Sequence, residues 1–384
     1  MTSATQKLFS SLDPKRAAEL CKELLAKAGV EVNGDRPWDI QVHDERLWTR
    51  VMRDGTLGLG ESYVEGWWDA PALDQFVDKA MRVKLGDNLR DNWMILPHVL
   101  RAKIMNLQSI TRSTESVHRH YDIGNDLYEA MLDKRLLYTC AYYGNGAKTL
   151  EEAQDAKLEL VCQKVGLRPG MRVLDLGCGW GGFASYAAEK HGVEVVAYTV
   201  AQEQVKFARE RYAHLPVEFR LEDYRNATGT FDAVVSIGLM EHVGWKNYRS
   251  YMELADRCLA PNGVAFIHTI GGNKPRPHLD PWFDKYIFPN AVLPTLAQLV
   301  TAMEGIFIPE DVHNIGADYD PTLMAWWERF DAAWPKLRAH YGESFHRMWK
   351  FYLLASAGTF RARGQQLFQI VMTRPGTPPP APCR

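Results

Sequence analysis

The chain has 384 residues, of which 46% are hydrophobic and 24% are charged, and its formal net charge is −2. This length is enough for two domains, one of them large, and the near-neutral charge argues against a nucleic-acid-binding protein. No apolar run reaches the ~18 residues that a bilayer span requires, so any membrane contact is expected to be peripheral. The six cysteines are scattered, which is typical of a reducing cytoplasm and predicts no metal site.

Residues 1–100 show no alternation of strands and helices, which predicts a small, mainly helical domain. Hydrophobic spacing predicts helices over 16–28, 45–53 and 73–83 and a strand-like stretch over 38–42. The segment 55–60, GTLGLG, is too rich in glycine to be predicted as a regular element. The twelve tryptophans of the whole chain suit either a core or a lipid interface.

Residues 101–120 form a polar, basic linker with few acids. Its cations and histidines are Arg101, Lys103, Arg112, His118, Arg119 and His120. A solvated linker explains this composition, and so does contact with lipid phosphates, where each cation contributes about 1 kcal/mol near an anionic surface. Both interpretations stay open.

From about residue 150, short apolar strands alternate with amphipathic helices, which predicts an α/β fold with a mostly parallel, doubly wound sheet. The predicted strands are 171–176, 193–199, 217–221, 231–237, 263–270 and 367–373. The predicted helices are 150–165, 182–190, 201–213, 247–259, 322–339 and 344–363. An aromatic, proline-broken insertion occupies 275–294, and the proline-rich tail 375–384 is predicted to be disordered.

The stretch 173–182, VLDLGCGWGG, joins a buried strand to a helix through a glycine-rich turn. Such a turn lets backbone N–H groups and a helix N-terminus approach a nucleoside cofactor. The spacing also satisfies G-x-G-x-x-G, so a dinucleotide oxidoreductase is an alternative. Asp175 could receive the amino group of a methionine moiety, and the next strand ends in Thr199 instead of a ribose-binding acid. Both features favour S-adenosylmethionine.

Polar side chains follow the predicted strands at the edge where a parallel sheet binds ligands. Glu241 and His242 follow strand 231–237, Asp223 and Tyr224 follow strand 217–221, and His268 lies near the end of strand 263–270. A buried histidine is more often a core residue than a catalyst. If the fold brings Glu241 and His268 together, they could act as an acid/base pair.

The chain resembles the cyclopropane-fatty-acyl-phospholipid synthases and, more distantly, the mycolic-acid cyclopropane synthases and methyltransferases. The matching stretches are GTLGLGESY (55–63), GWW (66–68), HYDIGNDL (120–127), LYTCAY (137–142), VLDLGCGWGG (173–182), MEHVG (240–244), FIHTI (266–270), Trp282 with YIFP (286–289), GADYDPTLMAW (316–326) and FRAR (360–363). The glycine motif alone is common to methyltransferases, whereas the ordered set is specific and covers nearly the whole chain.

The resemblance implies a class I S-adenosylmethionine-dependent methyltransferase that acts on the cis double bond of unsaturated acyl chains in membrane phospholipids. Methyl transfer leaves a carbocation, and loss of a proton to a bound bicarbonate closes a cyclopropane ring. The implied bicarbonate site is Cys140, Glu241, His268, Ile270 and Tyr319. The implied cofactor site is Tyr138, Thr139, Asp175, Gly177, Cys178, Gly179, Trp180, Gly181, Thr199, Gln204, Asp223 and Tyr224, with Glu203 as an alternative to Gln204 on the ribose.

One position departs from the family pattern, because some relatives have a cysteine where this chain has Ser356. A thiol nucleophile is therefore implausible there, and Ser356 is a weak catalytic candidate. The resemblance also implies a homodimer, a lipid-contacting domain over 1–100, a catalytic domain over 121–374, and a cytoplasmic location at the inner face of the membrane. The alternatives are a lipid methyltransferase that leaves a methyl branch or a hydroxyl, and a lipid-binding protein without catalysis.

Overall fold

The computed structural model describes residues 13–83 and 124–381. Its α-helices are α1 (Pro14–Lys27), α2 (Arg46–Val64), α3 (Leu73–Arg82), α4 (Asn125–Met131), α5 (Leu150–Lys164), α6 (Gly182–His191), α7 (Gln202–Arg211), α8 (Met240–Val243), α9 (Tyr248–Cys258), α10 (Pro281–Tyr286), α11 (Leu296–Met303), α12 (Tyr319–Tyr341) and α13 (Glu343–Arg361). Its strands are β1 (Gln41–Val42), β2 (Trp68–Asp69), β3 (Arg172–Leu176), β4 (Glu194–Thr199), β5 (Val217–Leu221), β6 (Phe231–Ile237), β7 (Leu259–Gly272), β8 (Ile308–Asn314) and β9 (Gln365–Thr373).

Seven strands form one sheet in the order β5-β4-β3-β6-β7-β9-β8. The pairs from β5 to β7 are parallel, and β8 pairs with β9 antiparallel. The order of the strands reverses between β3 and β6, which is where ligands bind in sheets of this type. The predicted α/β fold with a mostly parallel sheet is confirmed.

Alternate residues of the central strands point to two separate cores, one on each face of the sheet. Val173 and Val195 pack with Leu158 and Phe183 of α5 and α6 on one face. On the other face, the adjacent residues of the same strands, such as Leu174, contact a second cluster that includes side chains of α9 and α11. Because both faces are covered by helices, the strands read as apolar runs in the sequence.

The chain divides into two compact units. One contains the described residues 13–83 together with His278–Pro289 and Leu323–Gln365, and the other contains 124–277, 290–322 and 366–381. The sequence had assigned 278–289 and 323–365 to the catalytic domain, whereas their contacts group them with the N-terminal helices. Trp68, Trp282, Trp326 and Trp349 are fully buried in this first unit, so these tryptophans belong to its core.

The glycine-rich segment 55–60 corrects the sequence prediction in part, because α2 is interrupted at Gly55, where the backbone is not helical, and the residues after it are again helical. The helix kinks at Gly55 (φ 58°, ψ −134°) and then runs on to Val64. A Cβ atom at Gly60 would overlap the Trp282 ring, so the absence of a side chain there permits close packing. Close packing against Trp282 therefore requires glycine at position 60, a requirement that no local propensity records.

Several other elements were not predicted, namely β2, β8, α4, α8, α10 and α11. The basic linker 101–120, with Arg101, His118 and His120, lies outside the described residues, as does the end of the proline-rich tail. Within the described residues no helix is long and apolar enough to cross a membrane.

Candidate functional site

The glycine turn lies between β3 and α6, at the centre of the sheet. Gly177, Gly179 and Gly181 all have positive φ (84°, 55° and 83°), a backbone conformation that a side chain disfavours. A Cβ atom at Gly181 would lie 2.7 Å from the Phe219 ring, whereas one at Gly179 would meet nothing within 4 Å. Glycine at position 181 therefore allows the Phe219 ring to pack against the turn. Gly179 borders open space at the N-terminus of α6, where a ligand can approach the backbone.

Asp175 lies on β3 just before this turn and is 1% exposed. Its Oδ2 atom makes no hydrogen bond to any described residue. Burial raises the pKa of Asp175 to about 7, and the nearby Lys157 ammonium opposes this rise. A buried carboxylate oxygen that lacks a protein donor fits the ammonium group of a methionine moiety.

The predicted ribose residues contact each other at the end of β4. The Thr199 hydroxyl donates to Oε1 of Gln204 at 3.2 Å, and both residues are buried. The alternative, Glu203, is exposed in the first turn of α7. The geometry therefore favours Gln204 over Glu203 for a role in the pocket.

Asp223, predicted near the adenine, already accepts two hydrogen bonds from its own turn. The Arg225 backbone N–H donates to it at 2.9 Å, and the Arg225 guanidinium lies 3.0 Å away. Tyr224 packs against Tyr251 with ring centroids 6.0 Å apart, and burial raises its pKa. This turn is held rigidly beside the carboxyl end of β5.

An aromatic wall follows the glycine turn. The Trp180 indole N–H donates to Oδ1 of Asn125 at 3.2 Å, and its ring lies 4.8 Å from that of Tyr128. Tyr138 packs edge-on against Tyr128 at 5.3 Å. Burial raises the pKa of Cys178, so its thiol stays protonated and inert.

The second group of predicted residues gathers at the carboxyl ends of β6 and β7. The Ile270 backbone N–H donates to Oε1 of Glu241 at 2.6 Å, so Ile270 contributes by fixing this carboxylate. Oε2 of Glu241 accepts no hydrogen bond from any of the described residues. Burial raises the pKa of Glu241 to about 7, and the Ile270 amide, the Glu241 backbone N–H and the Thr269 hydroxyl partly offset this rise.

His268 is 1% exposed, and burial holds its pKa well below the ordinary value, so the ring is neutral. Nδ1 of His268 lies 3.3 Å from the Gln369 amide nitrogen, which makes Nδ1 an acceptor and leaves the proton on Nε2. In the part of the chain that the structure describes, Nε2 has no acceptor. His268 thus presents a neutral N–H donor.

Hydrogen bonds made by neighbouring residues bring Cys140 and Tyr319 to the same edge of the sheet. The Ala141 N–H donates to the Thr322 hydroxyl at 3.1 Å, one helical turn after the buried Tyr319. The Cys140 thiol lies 3.9 Å from the Ile315 carbonyl. Ile315 in turn donates its N–H to Leu367 of β9 at 2.9 Å, two residues before Gln369. Burial raises the pKa of Cys140, so it is not a thiolate nucleophile.

Ser356, the weak catalytic candidate, lies at a half-buried position of α13 in the first unit. None of the contacts described above involves it.

Sequence reasoning missed two polar residues of this site, Lys157 and Gln369. Lys157 is fully buried on α5, and its ammonium donates to the Thr139 hydroxyl at 2.8 Å. A signal was present, because Lys157 follows Ala153 and precedes Val161 at helical spacing and therefore lies on the apolar face. Gln369 gave no such signal, because it is a single polar residue in an apolar strand and the sequence does not show which strand pairs with it.

The comparisons with known proteins identify the family of this chain. A sequence model of the mycolic acid cyclopropane synthetase family matches residues 108–370. The chain belongs to this family. The cyclopropane-fatty-acyl-phospholipid synthase of Escherichia coli (strain K12) is 48% identical over 355 residues, which cover 92% of this chain and 93% of that protein.

Solved structures of the family show the same fold. The mycolic acid cyclopropane synthase CmaA1, complexed with SAH and CTAB, is 30% identical, with a TM-score of 0.64 over 67% of this chain and 97% of that one. The cyclopropane synthase MmaA2 from Mycobacterium tuberculosis is 28% identical, with the same TM-score and the same coverage. The second unit of this chain is a class I S-adenosylmethionine-dependent methyltransferase fold, and the chain is an enzyme of the cyclopropane synthase family.

Proposed function

We propose that this enzyme methylates the cis double bond of unsaturated acyl chains in membrane phospholipids and then closes a cyclopropane ring. The observation that carries the proposal is the pair Glu241 and His268, both buried at the carboxyl ends of β6 and β7 beside the glycine turn. Each has one polar atom fixed by the fold and one atom without a partner among the described residues. Such atoms suit a small polar ligand at the reaction centre.

The cofactor supplies an electrophilic methyl group, and a bound bicarbonate supplies the base. Asp175, Thr139 and the turn around Gly179 would hold S-adenosylmethionine. Its alignment with the weakly nucleophilic alkene can lower the barrier by up to ~7–11 kcal/mol. The aromatic wall of Tyr128, Tyr138 and Trp180 excludes water and offers ring faces, each worth about 0.5–2 kcal/mol to a cation.

The side chains of the proposed bicarbonate site match the chemistry of bicarbonate. The His268 Nε2–H can donate to the anion, and the Glu241 carboxylate can accept the bicarbonate O–H and so orient it. Cys140 and Tyr319, at the same sheet edge, complete the proposed site. The base that accepts the proton of the transferred methyl group need not then be a protein side chain.

Mass spectrometry of monounsaturated phospholipid vesicles, incubated with enzyme and S-adenosylmethionine, tests the proposal. We expect a lipid product that is one CH₂ heavier and resists mild hydrogenation, and we expect less of it when bicarbonate is depleted. A product that takes up hydrogen indicates methylation without ring closure. Addition of methyl together with water indicates hydroxylation. Failure of any lipid to gain mass, despite cofactor binding, would contradict the proposed substrate.

We further propose that the enzyme is a homodimer that binds the cytoplasmic face of the membrane peripherally through its N-terminal unit. The family resemblance and the location of acyl chains in bilayers support this. Flotation with anionic vesicles, followed by light scattering of the lipid-free protein, tests the two parts separately. Protein that stays in the soluble fraction at low salt contradicts the first, and a monomer mass contradicts the second.

A further inference from the structure

Lys157 is a buried charged residue of the second unit's core to which the proposed reaction assigns no role. Lysine is almost never fully buried unless it is paired. Lys157 is 0% exposed, and its hydrogen bond is to a neutral hydroxyl, Oγ1 of Thr139, at 2.8 Å. Lys164, also buried on α5, has a carboxylate partner instead, Asp311 at 2.6 Å. A buried ammonium with only a hydroxyl partner requires an explanation beyond stability.

The surroundings of Lys157 give that explanation. The charged or ionisable groups that act on its pKa are Asp133, Cys140 and Asp175, and burial lowers this pKa to about 8. Lys157 in turn acts on the pKa of Asp175 and, together with Lys164, on that of His268. Its hydrogen bond to Thr139 also places the ammonium group beside the segment that carries Thr139 of the proposed cofactor site and Cys140 of the proposed bicarbonate site.

Another residue on the same face of α5 also contacts segment 137–140, which contains Thr139 of the proposed cofactor site and Cys140 of the proposed bicarbonate site. Gln154, one turn before Lys157, donates to the carbonyl groups of Leu137 at 3.3 Å and Thr139 at 2.9 Å. On the other side of the segment, Oδ1 of Asp133 accepts the Leu137 N–H at 2.8 Å. Backbone and side chain of Thr139 are thus both held from α5.

We propose that Lys157 is a positioning residue of the active site, which holds the segment of Thr139 and Cys140 and supplies a fixed positive charge beside it. The part that concerns the anion pocket rests on the proposed function. The part that concerns the cofactor pocket rests on the proposed S-adenosylmethionine site and is independent of the proposed lipid reaction. No bond is made or broken at Lys157.

Equilibrium binding of S-adenosylhomocysteine to the full-length chain tests the cofactor part without turnover. Lys157→Met removes both the charge and the hydrogen bond, and Lys157→Gln removes the charge but keeps a donor. We expect both variants to bind at least tenfold more weakly than wild type, the scale of a lost hydrogen bond to a charged group. The matched control is Lys164→Met, from the same helix and equally buried, which should bind within twofold of wild type.

Circular dichroism and thermal melting report whether each variant folds. If Lys157→Met does not fold, the comparison is made with Lys157→Gln alone. Wild-type affinity in Lys157→Gln would overturn the role of the charge. Equal losses in the Lys157 and Lys164 variants would show a general cost of removing a buried lysine and would also overturn the proposal.

Turnover with varied bicarbonate tests the anion part. We expect the bicarbonate concentration at half-maximal rate to rise at least tenfold in both Lys157 variants, and an unchanged value would overturn that part. If wild-type enzyme forms no cyclopropane, the proposed function fails, and the S-adenosylhomocysteine affinities still decide the role of Lys157.

Discussion

Replacing Glu241 by glutamine should make the protein more stable at alkaline pH while it abolishes most turnover. The glutamine can keep the hydrogen bond from the Ile270 N–H, which is 2.6 Å long in the wild-type structure. It loses the negative charge that burial disfavours, and it loses one acceptor oxygen. Stability and activity therefore move in opposite directions.

The size of the stability change follows from the pKa of Glu241, which burial raises from 4.5 to about 7. At low pH the side chain is protonated in both the folded and the unfolded protein. As the pH rises from 4.5 towards 7, the unfolded chain ionises first, so wild-type stability falls. Above pH 7 the full difference, an upper limit of about 3 kcal/mol, is present in the wild type and absent in the glutamine variant.

Urea denaturation of both proteins at pH 5 and pH 8 measures this difference. The advantage of Glu241→Gln should be large at pH 8 and should shrink at pH 5. Glu210→Gln, at an exposed position of α7, is the control and should show no such dependence. A variant that is less stable than wild type at both pH values would refute the view that an ionised Glu241 is costly.

The same variant tests the mechanism. S-adenosylhomocysteine should bind as tightly as to wild type, while methyl transfer to product should fall by roughly 10²–10⁴, the usual contribution of a positioned acid/base group. Turnover equal to that of the wild type would remove Glu241 from the mechanism.

Four further variants test other parts of the proposal. Gly181→Ala should destabilise the fold by about 2–5 kcal/mol, because φ is +83° and the new Cβ would lie 2.7 Å from the Phe219 ring. Gly179→Ala should cost only about 1–2 kcal/mol of stability, since its Cβ would meet nothing within 4 Å, but it should weaken S-adenosylhomocysteine binding at least tenfold. Chemical denaturation and calorimetry separate the two, and equal effects would contradict the assignment of Gly179 to the ligand. Asp175→Asn should raise the melting temperature at pH 8, since the carboxyl pKa is about 7 in the folded protein. The same variant should bind S-adenosylhomocysteine at least tenfold more weakly, and an unchanged affinity would exclude a contact between Asp175 and this ligand. Ser356→Ala should keep turnover within twofold, and a tenfold loss would restore a catalytic role.

The central part of the fold could be predicted because its local signals agree. Predicted strand 171–176 and helix 182–190 correspond to β3 and α6 within one residue at each end. Here an apolar run, obligatory glycines and helical periodicity coincide, and local consistency of this kind is what makes a segment predictable. The α/β assignment followed from the repeat of the same pattern.

Other features depended on packing between distant segments, which one sequence does not record. The requirement for glycine at position 60 comes from its close approach to Trp282, more than 200 residues away. The grouping of 278–289 and 323–365 with the N-terminal helices has no local signal. Residue roles in the site remain predictions, although the structure brings Glu241, His268 and Cys140 to the same edge of the sheet.

The ionisable groups of the site share one physical property that bears on the proposed chemistry. Burial moves the pKa of Asp175 and Glu241 up to about 7 and that of Lys157 down to about 8, and it keeps His268 neutral. Each shift is the cost of withholding water from a charge. A carbocation formed on an acyl chain is captured by any water within reach, so a cyclopropane synthase must keep water out even where it needs polar groups. The perturbed pKa values are therefore the expected consequence of a site that excludes water. The proposed bicarbonate, held by hydrogen bonds from the protein such as that of His268, could act as the base in such a site without admitting water.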